Sequence, residues 1–462
     1  MADAPSRIKI VTLGCAKNDV DSEEIAGVLM KAGHEISGGD SDVIVINTCG
    51  FLEASKQESI AAIQKAVKEK RAGKTKRVIV AGCLSQRLGA ELARLAPGAD
   101  SYVGVGQMNR FDTLVADSLT RKQPLIDIEP PHHRWADVET RARSGQPWSA
   151  YLKVSEGCDH QCTFCTIPSF RGKHQSKPME RVLAEARALA ERGVKEINLI
   201  AQDVTQYGFD LYKEFTLPRL LRELNAVDGI EWIRILYFYP NRLTDEVIEA
   251  MASLPKVCKY IDIPLQHTHP DVLRRMKRPW EGERYLKIVE KLRAAMPDCA
   301  IRTTFIVGFP GETEAEFDHM VDFVQAAQLD RVGAFTYSRE PGTPSYDMPD
   351  QVPNRVKKSR MDALMLAQQS ISLARNQAWA GREMLILAEE NRDGWTVGRS
   401  FRDAPEIDGL VFAEGTAELG SIVPVQITSG EPYDLVGTLA GAPTSGRRAL
   451  TGLRMASPKP PQ

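Results

Sequence analysis

Cys158, Cys162 and Cys165 form a C-x3-C-x2-C run in EGCDHQCTFC. Three thiolates this close in sequence can wrap one metal cluster from a single loop. A structural zinc site takes four ligands and closes its shell, and His160 would supply the fourth. A [4Fe–4S] cluster held by three cysteines instead leaves one iron without a protein ligand. Phe164, just before the last cysteine, and the βα setting of the loop favour the cluster.

Cys15, Cys49 and Cys83 are far apart but share one context. They follow the β-rich runs IKIVTLG, VIVINT and VIVAG, 34 residues from one to the next. In a parallel sheet the carboxyl ends of the strands face the same way, so the three converge. Core cysteines would fall within strands instead. Again there are three ligands and one open iron. Cys258 and Cys299 lie beside apolar strands and read as buried core thiols.

The elements that position these residues give an α/β multidomain chain. Residues 6–120 alternate short apolar runs with helical spacing, which implies a parallel α/β sheet covered on both faces. Residues 121–147 are Pro-rich and polar and read as a linker, with His132 and His133 on a solvated loop. Residues 148–376 return to the alternation with six βα repeats, short of the eight of a closed barrel. That predicts an open, partial (βα)6 barrel with its site at the carboxyl ends of the strands. Residues 377–445 hold five short β-like runs joined by turn residues, which suggests a small β-barrel, and 446–462 read as a loose tail.

The formal net charge of -2 argues against a chain whose bulk coats nucleic acid. MADAPSRIKIV has no signal-peptide pattern and no stretch approaches about 18 apolar residues, so a cytoplasmic address without membrane partners is expected. In that reducing compartment, clustered cysteines are metal or redox ligands rather than disulfides.

The C-x3-C-x-aromatic-C pattern resembles the radical S-adenosylmethionine (SAM) superfamily. The resemblance implies that the open iron beside Cys158, Cys162 and Cys165 chelates the amino and carboxylate groups of SAM. The reduced cluster then splits SAM into methionine and a 5′-deoxyadenosyl radical. It also implies SAM contacts after the cluster loop. Glu196 in GVKEINL stands where the superfamily usually shows Gly-Gly-Glu. Gln266 in IPLQH and Arg302 in IRTTFIVGFPGE are further candidates. The turn of Gly308, Gly311 and Glu312 would bring backbone to adenine or ribose; it lacks the spacing and Lys of a P-loop.

Two three-cysteine sets and a terminal small barrel resemble the methylthiotransferase family over nearly the whole chain. That implies an N-terminal methylthiotransferase domain, a radical SAM core and a TRAM domain. It further implies two [4Fe–4S] clusters, the one on Cys15, Cys49 and Cys83 being auxiliary and supplying sulfur. One SAM would methylate that sulfur and another would generate the radical. General base catalysis does not reach an unactivated C–H, so a cofactor must carry the step.

The family divides mainly into tRNA-adenosine modifiers and a branch acting on an aspartate β-carbon of ribosomal small-subunit protein twelve. KVSEGCDHQCTFCTIPSFRG resembles the protein-modifying branch, with Ser155-Glu156 where the tRNA branch usually shows Met-Arg. GRSFRDAPEIDG resembles that branch's signature at the start of the TRAM domain. Independently, residues 382–439 carry four Arg, no Lys and eleven acids. Such a module repels tRNA phosphates and attracts a basic protein. The expected partners are therefore a basic ribosomal protein and a low-potential donor of the flavodoxin or ferredoxin kind. The alternatives are a tRNA-adenosine methylthiotransferase and a non-enzymatic iron–sulfur electron carrier.

Overall fold

The early apolar runs pair side by side in the computed structural model, which describes residues 5–136, 141–279 and 282–440. Arg7–Thr12, Val43–Thr48, Arg77–Gly82 and Ser101–Val103 form a parallel sheet edged by Glu35–Ile36 and Leu125–Asp127. Val43–Thr48 is buried along its whole length, as a strand covered on both faces must be. Ile25 and Leu29 from helix Ala16–Lys31 join Phe111 and Leu114 on one face. Ile63 and Val67 from helix Glu53–Arg71 join Leu92 on the other.

The segment between the first two domains is more ordered than its composition implies. Leu125–Asp127 is an edge strand paired with Ser101–Val103. His133 is buried 3.9 Å from Glu156 rather than on a solvated loop, and burial pushes its imidazole down to about 3. Arg141 is buried between Glu23 and Glu185. None of this has a local period; it depends on partners far along the chain. The helical segment after Cys83 is likewise two short helices, Cys83–Leu88 and Ala90–Leu95, broken at Gly89.

The barrel is built from two three-stranded parallel groups. Trp232–Ile235, Glu196–Ile200 and Ser149–Lys153 form one; Tyr260–Asp262, Ala300–Val307 and Arg331–Thr336 form the other. The groups adjoin where the Cys258 amide donates to Ile233 O and that of Phe238 to Asp262 O. The first and last strands do not pair with each other, so the barrel is open. Ile197, Leu199, Ile233, Ile235 and Ile261 face outward into the helical layer. Alternation then turns Glu196, Arg234, Asp262 and Arg302 inward.

Helix Asn354–Gln377 leads to a closed five-stranded barrel spanning Glu383–Leu439. Its Phe401–Asp408 loop fills part of the open barrel's hollow. Arg234 donates to Phe401 O and Ser400 O, and Arg331 pairs with Asp403 at 3.0 Å. Cys258 and Cys299 are buried in apolar clusters. Among the described residues, no helix is long and apolar enough to cross a membrane. The tail at 446–462 lies outside the described residues.

Candidate metal centre

Cys15, Cys49 and Cys83 each sit just past the carboxyl end of a strand of the N-terminal sheet. Gly14 adopts φ +98°, and a Cβ there would lie 2.7 Å from Cys49 Cβ and 2.9 Å from its Sγ. Only glycine lets the Cys15 turn lie this close to Cys49. Ser59 holds Cys49 in place: its hydroxyl accepts from the Cys49 amide at 3.1 Å and donates to the Cys49 carbonyl at 2.9 Å. Asn18 ties the strand ends together, donating to Leu13 O and Thr48 O while its Oδ1 lies 3.6 Å from Cys83 Sγ. Burial pushes the Cys83 thiol up to about 12, against the pull of the Arg171 guanidinium.

Cys158, Cys162 and Cys165 lie on the loop past the first barrel strand. Gly157 turns the chain into it at φ +77°, where a Cβ would meet Lys173 O at 2.1 Å. Thr163 pins the loop, its amide donating to Met276 O, its hydroxyl to Arg275 O, and its carbonyl accepting from the Ser345 amide. Phe164 packs against a cluster of Val272, Met276, Phe309 and Tyr337. The motif's aromatic is thus an anchor that fixes the flanking thiols. Burial pushes Cys158 up to about 12 and raises Cys165 as well. Arg278 reaches to 3.9 Å from Cys162 Sγ and lies over the Tyr239 ring.

The donor set discriminates between one ion and a cluster. Three thiolates on a single zinc sit about 4 Å apart, from Zn–S bonds of about 2.3 Å. His160 turns away from the thiols, binding Asp203 at 2.7 Å and stacking on Tyr239. Three thiols without a fourth protein ligand fit a multi-iron cluster with one open position.

Arg171 links the segment after the loop triad to the sheet triad. It ends the short helix Ile167–Arg171 that follows Cys165, and its Nε donates to Cys83 Sγ at 3.1 Å. The same guanidinium pairs with Asp21 and Glu156, both at 2.9 Å. Lys153 pairs with the same two carboxylates. All four side chains are 3% exposed or less, so the charges compensate one another away from water. Removing one partner of such a set strands the rest.

The four proposed SAM contacts separate. Gln266 follows strand Tyr260–Asp262, at φ +73°, and its amide nitrogen donates to Thr304 O. Gly308 ends strand Ala300–Val307, but its amide donates to the Glu312 carboxylate at 2.9 Å. Arg302 lies early in that strand, paired with Asp262 at 2.8 Å and Asp408 at 3.5 Å. Glu196 opens its strand, at the end opposite the cluster loop, and pairs with Arg234 at 3.0 Å and Arg399 at 2.6 Å. The structure therefore does not bring Glu196 or Arg302 to the two cysteine triads; both join the open barrel to the C-terminal one. In Glu196 both oxygens are taken by cations that the sequence places 38 and 203 residues away.

This role has a stability signature. Burial alone would raise the Glu196 carboxyl, but Arg399 and Arg234 overcome it and bring it down to about 2. Against an unfolded value of about 4.3, the lowered group contributes about 3 kcal/mol at neutral pH. The contribution is present above about pH 4.3 and is lost as pH falls towards 2. Glu196→Gln should therefore unfold more easily in urea at pH 7, with the gap from wild type closing below pH 4. An unchanged gap at low pH would refute the assignment.

Residues 7–104 match the uncharacterized protein family UPF0004, residues 152–324 the Radical SAM superfamily, and residues 380–440 the TRAM domain. A ribosomal protein uS12 methylthiotransferase RimO of Chloroflexus aurantiacus is 48% identical over 93% of this chain and 98% of its own. The RimO of Geobacter sulfurreducens is 44% identical over 95% of this chain and 100% of its own. The chain belongs to the RimO family. A cobalamin- and [4Fe–4S]-bound radical SAM methyltransferase, TsrM of Kitasatospora setae, shares the fold with TM-score 0.56 at 15% identity, covering 74% of this chain and 77% of its own.

Sequence patterns alone did not single out the charged residues between the triads in this RimO-family chain. Asp21, Glu23 and Glu24 lie on a helix whose acids would ordinarily face water, yet all three are buried. The available signal was the run CAKNDVDSEE itself, a dense set of charges starting at a cysteine.

Proposed function

We propose that this chain is a radical SAM methylthiotransferase that adds a methylthio group to an aspartate β-carbon of ribosomal protein uS12. One observation carries the site assignment: the short helix that follows the loop triad, Ile167–Arg171, sets Arg171 against Cys83 of the sheet triad. In this reading Cys158, Cys162 and Cys165 hold the SAM-binding [4Fe–4S] cluster, and Cys15, Cys49 and Cys83 hold the auxiliary one. When bound, the clusters and SAM supply the one-electron chemistry that opens an unactivated C–H and the sulfur that replaces the hydrogen.

The chain's residues orient and shelter that chemistry. Thr163 and Phe164 hold the cluster loop rigid. Arg278 sets a positive charge beside Cys162, and Arg171 one beside Cys83. At Cys83 the guanidinium opposes the burial that raises the thiol. Gln266, just past the carboxyl end of strand Tyr260–Asp262, remains a candidate SAM contact.

The C-terminal barrel supports a basic protein partner. Asp403 and Asp408 are consumed by Arg331 and Arg302 inside the fold. Glu383, Asp393, Glu406 and Glu418 remain exposed. An acidic outer face attracts cationic side chains and repels phosphates. The reading places the protein in the cytoplasm with a flavodoxin- or ferredoxin-like donor, and direct RNA binding by this barrel is not expected.

Anaerobic reconstitution should load about eight iron per chain, two four-iron clusters. Incubation with SAM, reductant and a peptide of the uS12 target loop should replace one H by SCH3, read by mass spectrometry. An adduct on tRNA and none on peptide or intact uS12 would reject the protein-substrate reading.

A further inference from the structure

Four lysines are buried among the described residues: Lys17, Lys153, Lys177 and Lys357. Three have oxygen partners. Lys153 pairs with Asp21 and Glu156, Lys177 with Glu185, and Lys357 donates to Tyr337 O. Lys17 has none. It is 8% exposed, and its ammonium lies 3.4 Å from the Tyr237 ring centroid. A ring face attracts a cation, but it does not replace the hydrogen bonds of water.

The acids of its own helix make no ion pair with it, and Asp19 lies against Glu406 rather than a cation. Asp21 is taken by Lys153 and Arg171, and Glu23 by Arg141. A buried ammonium without an anion is costly, so a place that keeps one is suited to an anion that arrives. The position is specific. Lys17 is on the first turn of helix Ala16–Lys31, two residues past Cys15. Tyr237 lies just past strand Trp232–Ile235, at the carboxyl end where the open barrel's mouth lies, with φ +66°. The ammonium thus stands between the Cys15 turn and that mouth.

We propose that Lys17 is the carboxylate-binding residue of the substrate site, its ammonium pairing with the side-chain carboxylate of the target aspartate. This rests on the uS12 reading above. The β-carbon is bonded directly to that carboxylate carbon. Gripping the carboxylate beside Cys15 therefore holds the acceptor carbon within one bond of the anchor. An adenosine base offers no carboxylate, so the same contact selects an acidic amino acid over a nucleobase. The other carboxylate that enters such a site is that of SAM itself, and the two sources are separable.

The test uses reconstituted full-length enzyme and two peptides of the uS12 target loop, one with the target Asp and one with Asn in its place. Affinities are measured by fluorescence anisotropy for wild type, Lys17→Met and Lys17→Arg, and SAM affinity by equilibrium dialysis. Wild type should prefer the Asp peptide by at least about tenfold, the scale of a buried charge pair. Lys17→Met should erase that preference by weakening the Asp peptide alone, and Lys17→Arg should keep part of it.

Equal weakening of both peptides would assign Lys17 a structural role and overturn the proposal. So would an Asp preference that survives in Lys17→Met. A loss of SAM affinity with the Asp preference intact would give the site to the SAM carboxylate and overturn it too. Wild type that binds neither peptide and methylthiolates tRNA would overturn the uS12 reading and this inference together. Wild type that modifies the peptide while Lys17→Met keeps its preference would overturn this inference alone.

Discussion

Cys162→Ala protein, reconstituted with iron and sulfide under anaerobic conditions, should form no 5′-deoxyadenosine from SAM and reductant. Its iron content should fall from about eight to about four per chain, one cluster of two. The reason is local. In the proposed assignment three thiols supply the whole protein ligand set of the loop cluster, and His160 is held by Asp203 rather than free to substitute. Alanine keeps the backbone bond from the Cys165 amide to the Cys162 carbonyl, so the loop keeps its shape. The loop's other anchors, Thr163 and Phe164, are untouched. The loss is therefore one of chemistry, checked by an unchanged circular dichroism spectrum. Turnover of SAM at the wild-type rate would remove Cys162 from the cluster and with it the radical reading. Product formation by wild type also separates this reading from an electron carrier, which would leave SAM intact.

Cys49→Ala should give the complementary result. Iron again falls to about four per chain, but 5′-deoxyadenosine continues to form while no methylthio group reaches the peptide. Cys49 follows a strand of the N-terminal sheet, and the three ligands proposed for the loop cluster are all on the barrel. The Ser59 bonds to Cys49 use its backbone, so alanine preserves them. Alanine keeps the Cys49 Cβ that Gly14 makes room for and removes only the sulfur. A methylthiolated peptide from this variant would refute the sulfur-supplying role of the sheet triad. Loss of both activities would mean the two centres depend on each other structurally, through Arg171 and Cys83.

The cysteines, their grouping into two sets of three, and the three-part α/β organisation were legible because each rests on local pattern. One triad is contiguous within eight residues. The other is marked by the ends of three apolar strands, and strand periodicity is read from neighbours in sequence. The segment between the domains was not legible in the same way. Arg141 is buried by Glu23, 118 residues away, and Leu125–Asp127 is a strand only because Ser101–Val103 offers it an edge.

The same limit explains the fate of Glu196. Its place in GVKEINL suggests a residue near the cluster loop, and its type suggests a ligand for an ammonium. Both depend on which end of the strand it occupies and what faces it. Register sets Glu196 opposite Ser149, at the strand's beginning, and the C-terminal barrel delivers Arg399 to it.

By itself, then, the sequence determined which atoms can bind iron and what class of chemistry that permits, since thiol identity and spacing survive without a fold. Only the tertiary structure decided where charge ends up: Arg171 against Cys83, Glu196 locked against Arg399, Lys17 buried without an anion. Desolvation and pairing are properties of the space around a group, and that space is assembled from segments distant along the chain.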